Sequence, residues 1–139
     1  MKTFKIYLSH PIRGIERDVP EEVEHAIMKQ NNAKAIAMAA ALRTVNPAIT
    51  IYCPAEHEAF VLNAYKNQLL TETQILDVDC MVIDACDAVL FFNHQGQLSN
   101  GMARELDHAI LAGKVVLSTA TIDSALSYLT KNLEAFLHG

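Results

Sequence analysis

Hydrophobic positions along this chain follow two periods that alternate. Short apolar runs containing β-branched and aromatic residues lie at 4–8, 49–53, 88–92 and 115–117, the pattern of buried strands. Between the first two, Val23, Ala26, Ile27, Ala33, Ile36, Ala37, Ala40 and Ala41 recur at helical spacing. They predict a helix from Pro20, a favourable first helical residue, to Leu42, with Gln30-Asn31-Asn32 as a candidate break. Its Ala-rich half is smooth enough to pack against a sheet or a second subunit. Ile75, Leu76, Val78, Met81, Val82 and Ile83 predict a second helix within 71–86. A third begins at Ser99 and ends before Gly113-Lys114, and an amphipathic one covers 122–137. Residues 55–70 are weakly periodic and read as a loop with a helical turn or two.

Strands that alternate with helices imply a parallel sheet joined by right-handed crossovers and covered on both faces. The expected fold is therefore α/β and three-layered, with a Rossmann- or flavodoxin-like sheet of four to five strands. One domain spans 1–139, since no repeat, low-complexity tract or linker interrupts the chain. In such sheets ligands bind beyond the carboxyl ends of the strands.

Composition narrows the functional classes. Hydrophobic residues make up 51% of the chain and charged ones 19%, as in a compact domain rather than a disordered one. A formal charge of −5 without a basic run argues against polymeric nucleic acid as partner. No stretch reaches the length of a membrane span, and the apolar start is too short for a signal peptide. The three cysteines, Cys53, Cys80 and Cys86, lack CxxC spacing and read as buried thiols in a reducing, cytoplasmic compartment. The six histidines form neither HxxxH nor HExxH, so neither a metal nor a cofactor is expected.

Two loops carry candidate chemistry. Ser9-His10-Pro11-Ile12-Arg13-Gly14 follows the first strand and holds Arg13 as its one fixed cation. After the strand Ala88–Phe92, Ser99 stands at a helix start, where free backbone N–H groups and the helix dipole favour an anion. Glu105 lies about one turn further on. Asp77 and Asp79, two apart on a helix, point in different directions, so one can face solvent and the other a pocket. Each of these residues also has a plain reading: a solvated arginine, a capped surface helix, a glutamate paired to water.

Four pieces taken in order are more specific: Tyr7-Leu8-Ser9-His10-Pro11-Ile12-Arg13-Gly14, Asp79, Cys86-Asp87-Ala88-Val89-Leu90, and Ser99-Asn100-Gly101-Met102-Ala103-Arg104-Glu105. Together they resemble the nucleoside 2-deoxyribosyltransferase superfamily, closest to its branch of 2'-deoxynucleoside 5'-monophosphate N-hydrolases, over roughly residues 4 to 118. The resemblance implies Glu105 as the nucleophile toward the anomeric carbon, Asp79 as the group that handles the leaving base, and Tyr7 as the residue that orients the glutamate. Its Asp lies eight residues before the one opening the next strand, which selects Asp79 over Asp77. It further implies that Ser9, His10, Ile12, Arg13, Gly14, Ser99 and Gly101 contact substrate, with Arg13 and Ser99 on a 5'-phosphate. Ser124 of a neighbouring subunit would complete the site, in a homodimer or higher homo-oligomer with shared active sites.

The chain departs from that pattern twice. Pro11 stands where the branch has serine, and His10 where a small residue is usual. His10 either contacts the ligand or fills space as a buried neutral histidine. The resemblance implies cleavage of the N-glycosidic bond of (deoxy)nucleoside 5'-monophosphates. The alternatives are base exchange between nucleosides by a transferase and, in another class, a non-catalytic nucleotide-binding module.

Overall fold

A computed structural model describes residues 2–13 and 18–138; Gly14, assigned to the substrate loop above, lies outside the described residues. Four strands, β1 (Phe4–Ser9), β2 (Ile49–Tyr52), β3 (Ala88–Phe92) and β4 (Val115–Thr119), form one sheet in the order β2-β1-β3-β4. Every pairing is parallel. The helices are α1 (Glu21–Arg43), α2 (Glu58–Lys66), α3 (Glu72–Asp84), α4 (Asn100–Leu111) and α5 (Ile122–His138), with a 3₁₀ turn at Pro54–His57 before α2.

Alternation along the strands divides the core into two layers. Ile6 and Leu8 of β1 and Ala88, Leu90 and Phe92 of β3 face α1 and α5, against Ala35, Met38, Ala39, Leu42, Ala125 and Leu129. Tyr7, Val89 and Phe91 face the other side, against Ile83 of α3 and Met102 and Ala109 of α4. This is the three-layer Rossmann or flavodoxin type of α/β arrangement. Each fully buried Leu or Ile contributes ~1.5–3 kcal/mol, so β1 and β3, buried on both faces, form the rigid centre.

Two local expectations are corrected. No break occurs at Gln30-Asn31-Asn32: α1 runs unbroken for 23 residues. The side chains of Asn31 and Asn32 do not compete for their own backbone. Instead the Asn31 amide donates to the Ile12 carbonyl at 3.0 Å, and that of Asn32 donates to Glu58. The stretch 55–70 is more ordered than a loop, because Arg43 clamps it. Its guanidinium donates to both carboxylate oxygens of Glu56 and to the Ile51 carbonyl. Thr71 and Gln74 then form a reciprocal capping box that starts α3.

Of the cysteines, Cys53 and Cys86 are buried, while Cys80 is only half-buried on α3. No helix is long and apolar enough to cross a membrane, among the described residues.

Candidate active site

The chain runs from β1 outward to β2 and then returns to the opposite side of β1 as β3. Connections therefore diverge above β1 and β3, and a crevice opens at their carboxyl ends. A cavity of about 280 Å³ lies there, walled by α1 and α2 on one side and by α3 and α4 on the other. That volume is at the lower end for small-molecule sites.

Glu105 is the buried charge of this cavity, only 6% exposed. Helical spacing from the Ser99 cap turns its side chain inward, and the Ser9 hydroxyl at the end of β1 donates to Oε1 at 3.0 Å. Oε2 has no hydrogen-bond partner among the described residues. Loss of hydration raises the Glu105 carboxyl to about 7, and neighbouring Asp79 adds to the rise; Tyr7 and Ser9 oppose it. Burial lifts Asp79 to about 6, again opposed by Tyr7. The Tyr7 phenol is pushed well above its ordinary value by burial and by both carboxylates, so it stays a proton donor between them. Two carboxyls thus lie close to one phenol in a partly dry cavity, and burial raises both toward neutrality. Such a pair can provide a nucleophile or base and an acid in the same pH range.

The structure separates Asp79 from Asp77 as the two-residue spacing requires. Asp79 lines the cavity, and Asp77 is exposed in an ion pair with Arg104. Ile12, Arg13, Ser99 and Gly101 also line it. Arg13 is about half-exposed and lies 3.6 Å from Glu24. Ser99 caps α4, its Oγ accepting from the Met102 N–H at 3.2 Å. The N–H groups of Asn100 and Gly101 in the first turn have no intrahelical acceptor and remain for a ligand.

One assignment changes. Ser9 does not line the cavity: it is fully buried, and its hydroxyl holds Glu105 rather than a ligand. Ser124 is exposed near the start of α5, away from the cavity residues of its own chain. His10 is buried, with Nδ1 3.1 Å from the Pro11 carbonyl. That carbonyl only accepts, so Nδ1 carries the proton, and burial lowers the ring below its ordinary value. His10 is thus a buried histidine that also forms part of the cavity wall, with Nε2 unpartnered among the described residues.

An aromatic wall escaped the sequence reading. The β1–β2 register sets Tyr7 beside Tyr52; their rings stack at 5.6 Å, and Tyr52 stacks on His57 at 4.9 Å. Tyr65, about half-exposed on α2, extends the same lining. Which strands pair, and in what register, carries no local signal, although Tyr52 at a strand end was visible. Among the described residues no group of three or more His, Cys, Asp or Glu side chains is placed to hold a metal.

Burial of Glu105 has a measurable cost. Its native value of about 7 exceeds the ordinary 4.5, so the folded state binds the proton more tightly. Stability is therefore retained below 4.5 and lost as pH rises toward 7, by about 3 kcal/mol in total. Glu105→Gln, which keeps an acceptor for Ser9, is expected to raise the melting temperature strongly at pH 8 and little at pH 5. A pH-independent difference in thermal scans would contradict that burial. Comparison of the chain with family models, with curated proteins and with solved structures finds no match.

Proposed function

We propose that this cavity cleaves the N-glycosidic bond of (deoxy)nucleoside 5'-monophosphates through a glycosyl-Glu105 intermediate. The observation that carries the reading is the buried Glu105, with Oε2 free of partners, beside an Asp79 raised to about 6 and an aromatic wall. In the first step a Glu105 oxygen bonds to the anomeric carbon while the bond to the base breaks. The electron pair leaves with the base nitrogen, which takes a proton from Asp79. Water then attacks the same carbon, gives its proton to the Asp79 carboxylate and frees Glu105. Ser9 and Tyr7 hold the glutamate through both steps. The base rests against Tyr52 and His57, whose stacked rings line the same cavity as Asp79.

A 5'-phosphate would meet the Arg13 guanidinium and the free N–H groups at the start of α4. One observation favours a second reading, base exchange between free nucleosides by a transferase. Arg13 is drawn to Glu24, and Glu58, Glu72, Asp79 and Glu105 all line the cavity, a setting that disfavours a dianion.

Chromatography of reactions with nucleosides and their 5'-monophosphates, each with and without a second free base, separates the readings. Hydrolysis of monophosphates predicts free base from those substrates alone. A new nucleoside that forms only with added base would establish the transferase. Turnover by Glu105→Ala should fall by roughly three orders of magnitude or more while ligand binding persists; unchanged turnover would remove Glu105 from the chemistry.

The first step needs ionised Glu105 and protonated Asp79. The pair's single proton rests more on Glu105, at about 7, than on Asp79, at about 6, so the reactive form is the minor one. kcat/KM should trace a narrow bell whose limbs, rising at about 6 and falling at about 7, belong to the pair rather than to either residue. A profile flat from pH 5 to 8 would contradict the assignment.

A further inference from the structure

Asn32 is the unexpected residue of this cavity. It sits in the middle of α1, is 7% exposed and lines the site; the neighbouring buried Asn31 turns to the Ile12 carbonyl, and the other buried residues of α1 are alanine, methionine and leucine. Its Nδ2 donates to Glu58 Oε2 at 2.5 Å. Glu58, the first residue of α2, lines the same cavity and is half-buried. A buried amide bound to a carboxylate is costly in a wall that apolar side chains could fill, unless its remaining polar atoms have work to do. The contact uses one N–H of the amide and one oxygen of the carboxylate. Glu58 Oε1, the Asn32 carbonyl and the second amide N–H lie outside it.

The pair's position says which part of a ligand it meets. Glu58 directly follows His57, whose ring stacks on Tyr52, and Tyr52 in turn feels the charge of Asp79. Asp79, the stacked Tyr52–His57 face, Glu58 and Asn32 all line one cavity, so a ligand there meets a proton donor, an aromatic face and a polar edge. A planar base stacked on that face and protonated by Asp79 presents its rim to Glu58 and Asn32. Arg43 fixes this edge from behind, by bonding Glu56 and the Ile51 carbonyl.

We propose that the Asn32–Glu58 pair selects a base carrying an exocyclic amino group. The inference rests on the N-glycosidase reading for the placement of the base. An ionised carboxylate only accepts, so it pairs with an amino group and repels a carbonyl oxygen at the same point. Glu58 is then a specificity-determining residue, and Asn32 a positioning residue that holds it.

The test uses monophosphates of matched bases: guanine with hypoxanthine, adenine with hypoxanthine, and cytosine with uracil. Wild-type kcat/KM should favour the amino member of at least one pair by about tenfold or more. Glu58→Gln, which puts a donor where an acceptor stood, should cancel or reverse that ratio. Asn32→Ala should reduce the ratio by a smaller factor, and thermal melting confirms that both variants are folded. Calorimetric binding of the same ligands to Glu105→Gln gives a readout independent of turnover. If no base is released from any substrate but affinity still follows the amino group and responds to Glu58→Gln, the inference stands and the hydrolase reading fails. Ratios that Glu58→Gln leaves unchanged in all three pairs, or no binding of any ligand, would overturn it.

Discussion

The structure turns on one contact, the hydrogen bond from Ser9 to the buried carboxylate of Glu105. It joins the carboxyl end of the central strand β1 to the second turn of α4, two points 96 residues apart in sequence. β1 is held on both sides by parallel partners and on both faces by core, so Ser9 has little freedom to move. The carboxylate is consequently fixed in a place where water is scarce and its proton affinity is raised. Asp79 and Tyr7 complete a set of three ionisable groups that share this shortage of solvent. The shortage that destabilises the folded chain at neutral pH is the one the proposed reaction would use, a trade common where chemistry is done.

The architecture places this set where α/β sheets bind ligands. Because β3 returns beside β1, the loops above those two strands diverge, and α3 and α4 bring Asp79 and Glu105 to the opening. The opposite wall comes from α1 and α2. Its shape depends on the Arg43 clamp and on the outward hydrogen bonds of Asn31 and Asn32, which tie the loop after β1 and the start of α2 to one long helix. The proposed reaction needs both walls: carboxyls on one, and a stacking face with a polar edge on the other.

Much of this was legible in the sequence. Strand and helix periods gave the four strands and the layering, since burial on both faces leaves continuous apolar runs such as Ala88–Phe92. The two-residue spacing of Asp77 and Asp79 was enough to send one outward and one inward. What stayed hidden depended on contacts distant in sequence. Asn31 and Asn32 resembled a helix break because nothing local shows that their amides bond Ile12 and Glu58. Ser9 looked like a ligand contact until α4 was seen to bring Glu105 to it. Tyr52 gained meaning only from the parallel register that sets it beside Tyr7.

The central claim, that Glu105 is the group which bonds to the sugar, is tested most directly by intact-protein and peptide mass spectrometry after rapid acid quench of the protein turning over a 5'-monophosphate. The account predicts a mass increment equal to the sugar phosphate, located on the peptide that carries Glu105 and absent from Glu105→Gln. Release of base with no adduct at any quench time, or an adduct on another residue, would contradict it.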